Sequence, residues 1–172
     1  MFVRFSKPKA KILYADNAVI TRHNGRPTLM VRIGNGRTEL LTDLKVQLNI
    51  LLHETSREGR TYRRVHELRL VRGGLPIFPL THTLMHDIDE RSPLAGLDGA
   101  GLAATDARLL LTLEARDPGL AAMVYDLRTY AAAQICFGMH YSDTVSEEED
   151  GRILVDLRRI SIIEPDDPAA ED

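Results

Sequence analysis

The residues best equipped for chemistry are His82 and His86, four apart, with Asp87, Asp89 and Glu90 close behind. On a helix that spacing puts both imidazoles on one face, as in the zinc motif HExxH. The general base of that motif is missing, because Thr83 follows His82. On a strand the two rings share a face but stand about 13 Å apart, too far for one ion. No metal site is therefore expected, and the segment reads as a polar loop bonded to neighbouring backbone. Cys136, the only cysteine, sits between Ile135 and Phe137 and reads as a buried structural thiol. There is no GxSxG, and Gly34-Asn35-Gly36 and Gly73-Gly74 complete neither GxGxxG nor a P-loop. Trp is absent and aromatics are only 5%, which argues against a sugar or single-stranded nucleic-acid platform. The chain is expected to be neither an enzyme nor a cofactor binder.

Charge is distributed unevenly. The net charge of −3 gives no reason to expect a nucleic-acid partner. Arg4, Lys7, Lys9 and Lys11 fall in the first eleven residues with no acid among them, whereas Glu164 to Asp172 holds five acids and no base. The basic start reads either as a solvated linker or as a contact for anionic lipid headgroups, worth about 1 kcal/mol per basic residue near a bilayer. Composition leaves both open. No apolar run approaches the roughly 18–20 residues of a membrane helix. The expected organisation is a basic linker over 1–11, a folded domain over 12–163 and an acidic disordered tail over 164–172.

The elements that would position these groups are strands. With 44% apolar residues, the 172-residue chain can bury a core. Leu40, Thr42, Leu44, Val46, Leu48, Ile50 and Leu52 alternate with Leu41, Asp43, Lys45, Gln47, Asn49 and Leu51, the period of a half-buried strand. A helix would keep the leucines on one face but leave Val46 and Ile50 off it. Asn24-Gly25 marks a hairpin turn between short strands at 18–21 and 28–33. Glu58-Gly59 marks another, before a strand at 65–71. Leu109, Leu111 and Leu113 mark a strand, and 124–130, 135–141 and 153–160 read as three more. Asp98 caps one short helix to Ala104. Many short strands with little helix indicate an all-β antiparallel sandwich.

Several blocks, taken in order, carry a resemblance. They are Phe2-Val3-Arg4-Phe5-Ser6-Lys7-Pro8-Lys9-Ala10-Lys11, Asn17-Ala18-Val19-Ile20, Asn24-Gly25-Arg26-Pro27-Thr28-Leu29-Met30-Val31-Arg32 and His66-Glu67-Leu68-Arg69-Leu70-Val71-Arg72. The strongest is Thr83-Leu84-Met85-His86-Asp87-Ile88-Asp89-Glu90-Arg91-Ser92-Pro93-Leu94, and Leu113-Glu114 continues it towards Val145. Together they resemble the cytoplasmic C-terminal domain of bacterial inward-rectifier potassium channels. The resemblance implies an immunoglobulin-like β-sandwich and a homotetramer around an aqueous conduit for potassium ions. It also implies a place at the cytoplasmic face of the bacterial inner membrane, within the broad class of voltage-gated channels. The membrane helices and selectivity filter of that family are not among these residues, so this chain alone is not expected to conduct. The alternative is a free-standing binding module on the same sandwich, since fold does not fix function.

Three sites follow from the resemblance. Asp43 and Asp117 are implied to line the conduit, where a ring of carboxylates would concentrate cations and hold polyamines or divalent ions. For Asp43 the alternation agrees, since it lies on the polar side of its strand. Arg116, Asp117, Pro118, Gly119, Leu120, Ala121, Ala122 and Met123 match the family's gating loop, with Gly119 expected to permit the tight turn. The match is imperfect: Pro118 stands where an acid is common, and Ala115 replaces a frequent glycine. Arg4, Lys7, Lys9 and Lys11 resemble the membrane-side link that meets anionic lipids.

Overall fold

The computed structural model describes residues 11–168. The strands are β1 (Ile12–Tyr14), β2 (Ala18–His23), β3 (Arg26–Asn35), β4 (Leu41–Thr55), β5 (Thr61–Leu68), β6 (Gly74–Phe78) and β7 (Thr81–Asp87). After helix α1 (Gly99–Ala104) come β8 (Arg108–Asp117), β9 (Ala122–Ala131), β10 (Ile135–Phe137), β11 (Met139–Tyr141), β12 (Val145–Glu147), β13 (Ile153–Val155) and β14 (Ile163–Pro165). The expected all-β sandwich is what forms. One sheet has the order β1-β3-β2-β10 with β7 also on β3, and the other β5-β4-β8-β9 with β6 also on β4. β10 pairs parallel to β2, a departure from a purely antiparallel pattern.

Alternating side chains build the core. Leu29, Val31 and Ile33 of β3 meet Leu44, Val46, Leu48 and Ile50 of β4 and Leu109, Leu111 and Leu113 of β8 in one buried cluster. Burial of this kind is the main force holding the two sheets together. Tyr130 closes the core and donates its hydroxyl to the Ala15 carbonyl at 2.6 Å. The first hairpin turns at Asn24 (φ 51°) and Gly25 (φ 76°), the two positive values of a type I′ turn. Asp98 caps α1, its carboxylate accepting from the Gly101 amide at 2.8 Å, and Leu102 anchors the helix in the core.

Four expectations need correction. The alternation in β4 slips at its start: Leu41 is fully buried and Leu40 is 48% exposed. A bulge causes this, because two residues of β4 face one of β8 between Thr42 and Lys45. The strand expected over 135–141 breaks at Gly138 (φ 65°), which redirects the chain from one sheet to a separate pairing of β11 with β14. The strand expected over 153–160 ends at Val155, where Asp156 accepts from the Arg158 amide and opens a 3-10 turn over Leu157–Arg159. The acidic segment placed in a disordered tail begins inside β14. Asp166 accepts from the Thr21 hydroxyl at 2.8 Å and sits 2.9 Å from His140 Nδ1, so its charge is tied to the fold.

The C-terminal excursion, over 139–166, is tied to the first sheet by Arg32 as well as by Thr21 and by the Tyr141 hydroxyl, which donates to the Asn17 carbonyl. Arg32 lies between the core residues Val31 and Ile33 and projects from the other face of its sheet. Its guanidinium donates to the carbonyls of Ser142 (2.6 Å), Arg159 (2.9 Å) and Ile160 (2.7 and 2.9 Å), and stacks 4.6 Å from the centre of the Tyr141 ring. Burial pushes its pKa down, and a guanidinium still stays charged at neutral pH.

Candidate functional site

His82 and His86 lie on β7, not in a loop, and point to one face at strand spacing. His86 is buried with both ring nitrogens engaged, Nδ1 at 2.7 Å from the Arg69 carbonyl and Nε2 at 2.7 Å from Ser92 Oγ. The carbonyl can only accept, so Nδ1 carries a proton and donates to it, while Nε2 is paired with the Ser92 hydroxyl. Desolvation lowers the pKa of His82 and favours its neutral form. Cys136 is half-buried, more open than expected.

The outward face of the second sheet gathers the other candidates. From the bulge onward, β4 turns Asp43, Lys45 and Gln47 outward, and β8 turns Thr112, Glu114 and Arg116 outward. Register places Lys45 opposite Glu114, with Nζ 3.5 Å from Oε1. Arg116 reaches Asp43, with Nε 3.7 Å from Oδ2. On the neighbouring edge strand β9, Met123, Tyr125 and Leu127 are exposed, Tyr125 by 69%. A polar strip thus runs beside an apolar one on the same face. Lys45 and Glu114 were not singled out from sequence; the opposition of two outward charges across β4 and β8 appears only once the register is known.

Asp43 is solvent-exposed, as its alternation indicates. It also holds a left-handed backbone (φ 50°) at the bulge, a conformation that Asp and Asn tolerate better than other side chains. Asp43→Val is therefore expected to lower unfolding free energy by about 1–2 kcal/mol, whereas Asp43→Gly should leave it equal or higher. Urea unfolding followed by circular dichroism measures both.

Asp117 behaves differently. It ends β8 and is paired with Ala122 at the base of a four-residue loop. Its carboxylate is 2% exposed and forms an ion pair with Arg37. Oδ1 accepts from the amides of Gly119 (3.0 Å) and Leu120 (3.1 Å). A carboxylate committed to one guanidinium and two amides is buried within its own chain, where it shapes the loop. The left-handed residue of that loop is Ala121 (φ 49°), not Gly119. Leu120 stands 58% exposed at its tip. Of the basic start, Arg4, Lys7 and Lys9 lie outside the described residues. Lys11 is exposed, and its carbonyl accepts from the Gly36 amide.

A groove of about 930 Å³ lies on the first sheet over Arg32 and Met30. Two of its lining side chains, Thr21 and His140, are bonded to a third, Asp166. Among the described residues no helix is long and apolar enough to cross a membrane.

Comparison with known proteins adds a lineage. The profile of the inward rectifier potassium channel C-terminal domain matches residues 12–168. The chain is 34% identical over 157 residues to the inward rectifier potassium channel Kirbac3.1 of Paramagnetospirillum magnetotacticum, covering 91% of this chain and 53% of that one. It is 27% identical to the human ATP-sensitive inward rectifier potassium channel 10, covering 90% and 42%. It is also 27% identical to the mouse ATP-sensitive inward rectifier potassium channel 12, covering 87% and 37%. The chain thus spans about half the length of these relatives, or less. Their names are those of inward rectifiers, so the voltage-gated label is not retained.

Proposed function

Because the chain belongs to the inward rectifier potassium channel C-terminal domain family, we propose that it is the gating and assembly domain of a tetrameric potassium channel. In this reading four copies surround the cytoplasmic extension of the ion pathway. The observation that carries it is the divided outward face of the second sheet. A ring of copies around water needs a polar strip toward the axis and an apolar strip toward each neighbour. β4 and β8 supply the first with Asp43, Lys45, Glu114 and Arg116; β9 supplies the second with Met123, Tyr125 and Leu127. The loop over 116–123 lies at the end of the same strands, placed to narrow the passage. Arg4, Lys7, Lys9 and Lys11 meet anionic lipid headgroups on the membrane side, and lipid signals reach the gate through this link.

The test is made on the full channel carrying Cys136→Ser and Asp43→Cys. A charged methanethiosulfonate reagent applied from the cytoplasmic side is expected to modify position 43 and change single-channel conductance. Unchanged conductance, with modification at position 43 verified by mass spectrometry, would remove Asp43 and its strip from the conduit.

A further inference from the structure

Acid and base alternate across the outward ends of β4 and β8, and the pattern has a consequence for the ions that pass. Asp43 and Lys45 come from one strand, Glu114 and Arg116 from the other. The antiparallel register brings Lys45 to Glu114, and the bulge brings Asp43, as well as Thr42, alongside Arg116. Each carboxylate therefore has a cation within 4 Å. We propose that Lys45 and Arg116 set the affinity of this face for polyvalent cations, by cancelling the field of its two outward carboxylates. The inference rests on the conduit reading and adds to it which residues tune that conduit.

The effect is one of electrostatic field, not of folding stability. All four groups are solvent-exposed to a substantial degree, Lys45 and Asp43 by 72% and 64% of their side chains. Pairs so exposed contribute little to stability. Their charges still act on any third ion within a Debye length, about 8 Å at physiological ionic strength. A spermine amine or a magnesium ion that approaches Glu114 meets Lys45 within that range, and one that approaches Asp43 meets Arg116. The strip presents two negative and two positive charges per copy, and hence no net attraction for a polycation. Tyr125 lies opposite Glu114 on its other side. A monovalent ion, weakly held in either case, is little affected.

The experiment uses the full channel in a planar bilayer, with spermine or magnesium added on the cytoplasmic side. Lys45→Gln combined with Arg116→Gln is expected to tighten block by both ions at least about five-fold, the size of one charge acting on a divalent ion several ångströms away in water. Lys45→Arg combined with Arg116→Lys should leave block at the parental level. Adding Asp43→Asn and Glu114→Gln to the double glutamine variant should remove the gain. If the double glutamine variant blocks no more tightly while a cysteine at position 43 is still modified with altered conductance, the inference is overturned and the conduit reading stands. If that modified cysteine leaves conductance unchanged, the conduit reading falls and this inference falls with it.

Discussion

Replacing Arg32 by methionine should lower the unfolding free energy of this chain by about 3–5 kcal/mol, the range for breaking a buried charged network. Methionine keeps most of the buried stem, so the loss measures the guanidinium. That group donates to three carbonyls, those of Ser142, Arg159 and Ile160, of which Arg159 also accepts from the Ile162 amide. Each buried carbonyl left without a donor costs about 1–3 kcal/mol. Arg32→Lys should recover only a minority of the loss, because an ammonium is a point charge and cannot reach all three acceptors. Equilibrium urea unfolding gives the total, and amide exchange locates it. The amides of Ser142 and Asp166, bonded to Ile162 and Gly138 in the C-terminal excursion, should lose protection first. The core strands β4 and β8 should keep theirs. Equal loss of protection in both places would show that Arg32 supports the whole sandwich and not the excursion.

How far sequence carries in this chain can be read from the same residues. Alternation gave the central strand and the β8 strand, because an apolar residue at every second position is itself the physical cause of a half-buried strand; the hairpin partner expected over 65–71 lies instead over Thr61–Leu68, where burial does not alternate. Asn24-Gly25 was legible for an equally local reason, since few other residue pairs accept two positive φ values. The bulge at Asp43 was not legible. It is a compromise between β4 and β8, and neither strand alone records that Leu41 must turn inward. Gly138 was passed over because nothing within 135–141 announces two separate pairing partners. The partners of Arg32 lie 110 to 128 residues away, beyond any local pattern. Asp117 was assigned to the conduit by its place in a resembling loop. Its burial depends on Arg37, eighty residues upstream, which sequence did not single out.

The two aspartates first assigned one role should therefore separate cleanly under mutation. Asp117→Ala is expected to cost about 2–4 kcal/mol, because it strips two loop amides of their acceptor and leaves the Arg37 guanidinium, 11% exposed, without its carboxylate. Asp117→Asn keeps an oxygen for the amides and loses the charge, so it should fall between Ala and the parent. Arg37→Met alone leaves the buried carboxylate without its counter-ion and should be comparably costly. The double variant Arg37→Met with Asp117→Asn should then cost less than the sum of the singles, by about 1–3 kcal/mol in a double-mutant cycle. Asp43→Asn, by contrast, touches an exposed carboxylate in a backbone conformation that Asn accepts, and should change stability by less than about 0.5 kcal/mol. If Asp117→Ala proved as mild as Asp43→Asn in urea unfolding, Asp117 would be an open surface acid after all and the loop would be held by Pro118 and its own turn. If the contrast holds, the loop over 118–121 owes its shape to a buried carboxylate, and a mutation at Asp117 acts first on backbone position.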